Sequence, residues 1–208
     1  ARGYTECVHL PGRFAVSVAP TLSNPRVREM VRRLDEAMVP RDDAGRCRGV
    51  KRILEETFAA GTDFLEARFL VPNPERYARR LVHRDPDNRY TVIAMVWNIG
   101  QGTPLHDHAG IWCVECVYQG RIRVTSYNCQ GGDPERDIVQ FKQETVIHAG
   151  VGEAGALIPP FEYHVLENAS DAPSVTLHVY GGELDHCHIF ESVENGWLRR
   201  YRELSYTA

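Results

Sequence analysis

The stretch GQGTPLHDHAGIWCVECVYQG, residues 100–120, sets two histidines between glycines and runs directly into a segment that reads as a β-strand. Residues two apart on a strand point to the same side. His106 and His108 are therefore expected to present both imidazoles to one interior, with Asp107 between them pointing away. An isolated His-x-His is a weak signal, because paired histidines also occur on surfaces. Here the spacing Gly100-x5-His106-x-His108-x4-Cys113-x6-Gly120 supplies turn positions on both sides, after a strand that contains Trp97. Imidazole is a common ligand of divalent metals. A third histidine from a later strand would complete a three-coordinate site with open positions. His164, in Pro159-x4-His164-x3-Asn168, is the candidate.

Outward from this stretch the chain is a series of short β-rich runs separated by Gly and Asp clusters. They fall at residues 113–118, 121–127, 138–141, 145–147, 156–158, 164–166 and 175–180. Many short strands punctuated by turns predict a sandwich or a barrel. Residues 77–83 and 90–97 read as two strands joined at Asp85-Pro86-Asp87-Asn88, although the first also fits a helix. Upstream the texture is helical. Ser23 or Asn24 can cap a helix that has Pro25 in its first turn and ends at Pro40. Val27, Met30, Val31, Leu34 and Met38 recur along it at helical spacing. A second helix is expected over Gly49–Ala60, with Val50, Ile53, Leu54 and Phe58 on one face, and a short third over Asp63–Leu70. The first twenty residues carry no clear period. The expectation is one domain over residues 1–208, mainly helical over 1–75 and a β-barrel body over 76–208.

With 43% hydrophobic residues, 25% charged residues and a formal net charge of −4, the composition is that of an ordinary globular chain. There is no basic surplus to suggest nucleic acid; Arg26, Arg28, Arg32 and Arg33 alternate with acids and apolar residues. No apolar run approaches a membrane span, and no charged start leads into an apolar stretch. The six cysteines do not form a disulfide scaffold, and Cys113-x2-Cys116 lacks the second pair of a zinc knuckle. These features predict a cytoplasmic protein with free thiols and no membrane or nucleic-acid partner, as a monomer or small homo-oligomer.

The histidine spacing resembles the two cupin motifs, and more narrowly the cysteine dioxygenase family. Most cupins carry glutamate at the position held here by Cys113, whereas cysteine dioxygenases have cysteine there and use three neutral histidines. The resemblance runs from about Tyr77 to Phe190 and has separate parts. Tyr77-x-Arg79 resembles the family's substrate clamp. Thr176-Leu177-His178-Val179-Tyr180 resembles its Ser-x-His-x-Tyr motif, and Asp185-x-Cys187-His188 the stretch after it. Two positions depart from the pattern. Phe161 stands where the second cupin motif has glycine, and Gly181-Gly182 replaces Ser-Pro-Pro of the mammalian-type enzymes.

The resemblance implies a mainly β, cupin-type barrel (a double-stranded β-helix or jelly roll) with N-terminal α-helices. It implies Fe(2+) on His106, His108 and His164, with a small-molecule thiol and O2 as substrates. Neutral imidazole ligands would leave the ion its 2+ charge, which favours an anionic thiolate. Arg79 would hold the substrate carboxylate by paired charge-assisted hydrogen bonds, with Tyr77 closing the pocket nearby. Cys113 and Tyr180 match a pair that forms a thioether crosslink. His178 would orient the Tyr180 hydroxyl, with Thr176 behind it and Cys187 lining the pocket. Relatives that prefer 3-mercaptopropionate resemble this chain but carry glutamine and glycine at the Arg79 and Cys113 positions. L-Cysteine is thus the first candidate. Another carboxylated thiol, such as 3-mercaptopropionate or mercaptosuccinate, stands as an alternative, as does a non-catalytic metal- or ligand-binding cupin.

Overall fold

The computed structural model describes residues 24–133 and 137–207. Cys7, His9 and Ser23 lie outside the described residues. Helix α1 spans Pro25–Ala37; Asn24 caps it by accepting the Arg26 amide at 2.8 Å. Its buried residues are Val27, Met30, Leu34 and Ala37. Helix α2 spans Asp43–Ala59 and so begins six residues before the expected Gly49. Asp42 caps it through the Gly45 amide at 2.7 Å. Gly45 and Gly49 have low helix propensity, which hid this first turn. Packing explains one of them, since a Cβ at Gly49 would sit 3.1 Å from that of Ala37 on α1.

The expected third helix over Asp63–Leu70 shrinks to a single 3-10 turn at Ala67–Phe69. The amides of Phe64 and Leu65 donate to the Tyr118 hydroxyl at 3.1 and 3.0 Å, which fixes this stretch by a buried group from a distant strand.

Among the described residues eleven strands follow, numbered in chain order. β1 (Ala78–Arg84) and β2 (Thr91–Trp97) form a hairpin. β2 pairs with β9 (Ser174–Tyr180), β9 with β4 (Cys113–Gln119), and β4 with β7 (Ala154–Leu157). The second sheet closes as a barrel in the order β10 (His186–Val193), β11 (Gly196–Glu203), β6 (Ile138–Ala149), β5 (Ile122–Asp133), β8 (His164–Asn168) and β3 (Leu105–His106). The molecule is a mainly β, double-stranded β-helix with helices at its N-terminal side, as expected.

Two strand assignments change. Residues 138–141 and 145–147 belong to one strand of twelve residues that pairs with β5 as a long hairpin. The β10–β11 hairpin was not anticipated, because β11 is charged and largely exposed. Its turn residues are Glu194 and Asn195, and Gly196, with φ of +136°, stands opposite Val193 at the start of β11.

Alternation divides the first sheet into two faces. Val92, Ala94, Val114, Cys116, Tyr118, Leu177 and Val179 point outward and pack under α1 and α2. Ile93, Met95, Trp97, Cys113, Val117 and Tyr180 point inward, where Ile122, Leu157 and Leu166 meet them. Both faces are covered, so β2 and β9 are buried at every residue. The inward face carries the candidate site. Among the described residues no helix is long and apolar enough to cross a membrane.

Candidate metal centre and its pocket

His106 on β3 is the register partner of His164 on β8, which brings the two imidazoles together across the sheet. His108 follows in a turn: Ala109 and Gly110 adopt φ of +52° and +81°, and the Ile111 amide donates to the His108 carbonyl at 3.1 Å. Ring centroids lie 4.5 Å apart for His106–His164, 5.0 Å for His108–His164 and 5.3 Å for His106–His108. One nitrogen from each of the three lies within 4.8 Å of the others. A turn rather than a continuous strand carries His108, so strand alternation does not by itself set the pair.

Nδ1 of His106 faces the Pro104 carbonyl at 3.1 Å, and Nδ1 of His164 faces the Glu162 carbonyl at 2.7 Å. A carbonyl only accepts, so both Nδ1 atoms carry the proton and both Nε2 atoms keep a bare lone pair. Nε2 of His164 and Nδ1 of His108 are buried without a hydrogen-bond partner. Burial holds all three imidazoles below their ordinary pKa, and for His108 and His164 the neighbouring histidines add to it. Three neutral, converging imidazoles with orphaned nitrogens fit a divalent metal ion. Asp107 points away, as expected; its carboxylate accepts from the His188 amide at 2.8 Å and lies 3.0 Å from His188 Nδ1.

A second row of groups comes from β9 and β4. His178 Nδ1 lies 3.3 Å from the Tyr180 hydroxyl and 3.8 Å from Cys113 Sγ. Its Nε2 lies 2.7 Å from Thr176 Oγ1, which accepts from Trp97 Nε1 at 2.9 Å. Trp97 can only donate, so the threonine hydroxyl proton is free for His178 Nε2. That leaves the other proton on Nδ1, facing Tyr180. Burial lowers the His178 pKa to about 3 and keeps the ring neutral. Cys113 and Tyr180 are direct cross-strand partners.

Tyr77, Arg79, Met95, His106, Tyr180 and Cys187 line one narrow pocket beside this cluster. Arg79 is 5% exposed on β1, and its Nη2 donates to the Leu184 carbonyl at 3.0 Å. The ring of Tyr206 lies 5.5 Å from its guanidinium carbon. Tyr77 packs on Trp97 at a centroid distance of 4.9 Å. Thus the ten residues singled out in the sequence gather around one place.

The family model of cysteine dioxygenase type I matches residues 24–193. The chain belongs to the cysteine dioxygenase type I family. Cysteine dioxygenase type 1 of Homo sapiens is 27% identical over 117 residues, or 56% of each chain. That of Danio rerio is 27% identical over 124 residues, again 56% of each. The chain spans about half the length of the curated relatives it matches. Among solved structures, a Klebsiella pneumoniae protein with a double-stranded β-helix domain aligns at a TM-score of 0.43 and 16% identity, covering 58% of this chain and 84% of that one.

The two departures from the family pattern have different consequences. Phe161 is 74% exposed, and its amide closes a turn onto the Ile158 carbonyl at 2.9 Å. It is not among the residues lining the pocket. Gly181, by contrast, is held under Trp112: a Cβ there would lie 2.3 Å from the indole Nε1. A residue with a side chain at this point would collide with that tryptophan.

Sequence reasoning missed Glu115. It follows Cys113 by two on β4, so alternation alone turns it inward. Its Oε2 lies 3.8 Å from His164 Nε2 and 3.6 Å from His178 Nδ1, and has no hydrogen bond of its own. Burial pushes its pKa up to about 8. Glu115 also borders an apolar chamber of about 320 Å³ that includes Val117, Ile122, Val124, Leu157 and Leu166. Arg202, which reaches the pocket from β11, was missed with its strand.

Proposed function

We propose that this protein is a non-haem Fe(2+) thiol dioxygenase that converts L-cysteine and O2 to cysteine sulfinic acid. The observation that carries this reading is a buried guanidinium, Arg79, in the same pocket as His106 and Tyr180. A carboxylate held there would place a thiol two carbons away toward the three histidines. Both oxygen atoms end on sulfur, so thiol plus O2 balances sulfinic acid with no other reductant.

His106, His108 and His164 are the residues that would hold the ion. A ferrous ion on neutral ligands would supply a Lewis-acidic centre that favours the thiolate and activates O2. Arg79 fixes the substrate carboxylate, and its positive charge offsets that of the incoming anion. Tyr180 offers a hydroxyl proton toward the reacting atoms, oriented by His178, which Thr176 and Trp97 hold in turn. Met95, Leu184 and Ile189 keep the pocket apolar and limit water around those groups. Cys187 and Tyr77 form its remaining wall.

The test is oxygen uptake by the ferrous-loaded protein across a panel of small thiols, with sulfinate quantified in parallel. L-Cysteine should be consumed with one O2 per sulfinate formed. No uptake with any thiol would remove the dioxygenase reading and favour a binding cupin. A second reading within the same chemistry, another carboxylated thiol, is favoured by one feature: the second arginine at the pocket.

A further inference from the structure

The pocket that holds Arg79 is also lined by Arg202, and no carboxylate lines it. Arg202 lies on β11, where its register partner is Cys187, itself a pocket residue. Its neighbours Arg199 and Arg200 are matched to Asp137 and Glu191. Of these three side chains, only that of Arg202 has neither an ion pair nor a hydrogen bond among the described residues. Its charge reaches the Tyr77 hydroxyl and the Cys187 thiol, both on the pocket wall. An ammonium entering this pocket would find no carboxylate to receive it, whereas a second carboxylate would find a guanidinium with all its donors free.

We propose that Arg202 is a specificity-determining residue that reads a second carboxylate, so that the site also accepts thiols on a dicarboxylate skeleton. One carboxylate would be held by buried Arg79 and the other by Arg202 at the mouth, with the thiol between them facing the three histidines. Arg79 sits on the rigid β1–β2 hairpin and fixes the pose. Arg202 is exposed, so its contribution is that of a partly solvated pair.

The inference rests on the proposed thiol oxidation, and its test is arranged to separate the two. Mercaptosuccinate and 3-mercaptopropionate differ by one carboxylate. Their dissociation constants are measured on the ferrous protein without oxygen, by calorimetry, and their kcat/KM with oxygen, for wild type, Arg202→Gln and Arg202→Lys. Arg202→Gln should shrink the mercaptosuccinate preference by about two- to fivefold in both ratios, and Arg202→Lys should restore part of it. An unchanged ratio in Arg202→Gln, with folding verified by circular dichroism, overturns the assignment. If no thiol is oxidised but the anaerobic binding ratio still depends on Arg202, the dioxygenase reading fails and the dicarboxylate site stands.

Discussion

Cys113 on β4 stands directly opposite Tyr180 on β9, with His178 in reach of both. Side chains so paired across antiparallel strands have Cβ atoms about 4.5–5.5 Å apart, close enough for a covalent link between sulfur and the phenol ring. Burial raises the pKa of both groups well above their ordinary values, so neither ionises readily on its own. A crosslink would replace the Cys113 S–H and a ring C–H of Tyr180 by one C–S bond, a two-electron oxidation with loss of two hydrogens for which O2 is the oxidant. The intact mass of protein that has turned over with iron should be about 2 Da below the sequence mass, and Cys113→Ala should lack the shift. A wild type at full sequence mass after turnover would leave the pair merely adjacent.

Arg79 is held by the Leu184 carbonyl and lies against Tyr206, so its fork is pre-oriented. Arg79→Gln should lower kcat/KM for L-cysteine by about 10- to 100-fold, the scale of a charge-assisted hydrogen-bond pair. Cysteamine, which has the thiol and amine without the carboxylate, should lose far less. Equal losses on the two thiols would take Arg79 out of the carboxylate site.

The orphaned nitrogens of His108 and His164 make a direct prediction about metal content. Wild-type protein should bind about one iron, and His164→Ala should weaken that affinity by more than the roughly 10- to 100-fold typical of losing a group that only orients a ligand. Elemental analysis measures both. Stoichiometric zinc, with no thiol oxidation after ferrous reconstitution, would contradict the iron assignment.

Glu115 sets a pH dependence in the metal-free protein. Its pKa is raised in the fold from 4.5 to about 8, so the native state favours the neutral carboxyl. This contribution is complete below pH 4.5 and is lost as pH rises through about 8. Glu115→Gln cannot ionise, so its Tm relative to wild type should climb by a few degrees across that window. Comparing the two proteins at each pH cancels the buried histidines. A Tm difference that stays flat with pH would mean that Glu115 is not desolvated as described.

Gly181→Ser should destabilise the protein through its clash with Trp112. Overpacking of this kind costs ~1–3 kcal/mol, and at this chain length each kcal/mol moves Tm by about 2–4 °C. Thermal unfolding measures it. A Gly181→Ser effect on Tm that vanishes when measured in the Trp112→Ala background would assign the loss to that contact, and one of undiminished size there would exclude it.

Much of the fold was legible because alternation and turn residues are local signals. The inward face of β2 and β9, the capped helix α1 and the β1–β2 hairpin all follow from residues close in sequence. Legibility failed where distant groups intervened. Tyr118 ties down the backbone at Phe64 and Leu65, and Ala37 explains a glycine inside α2. The charged hairpin β10–β11 closes the second sheet although its own sequence carries little apolar pattern.

The histidine spacing in the sequence pointed to a three-imidazole set, and the resemblance to the cysteine dioxygenase family added Cys113, Tyr180 and Arg79 to the chemical inventory. Their surroundings came from the folded chain. A strand register set His106 against His164, and a left-handed turn aimed His108. Glu115 joined the centre through the pairing of β4 with β9, and the Arg202 guanidinium reached the pocket from β11, a strand whose pairing no local pattern specifies. Long-range pairing is fixed by the closure of the whole barrel, and that is why the ligand set could be read early and its electrostatic company could not.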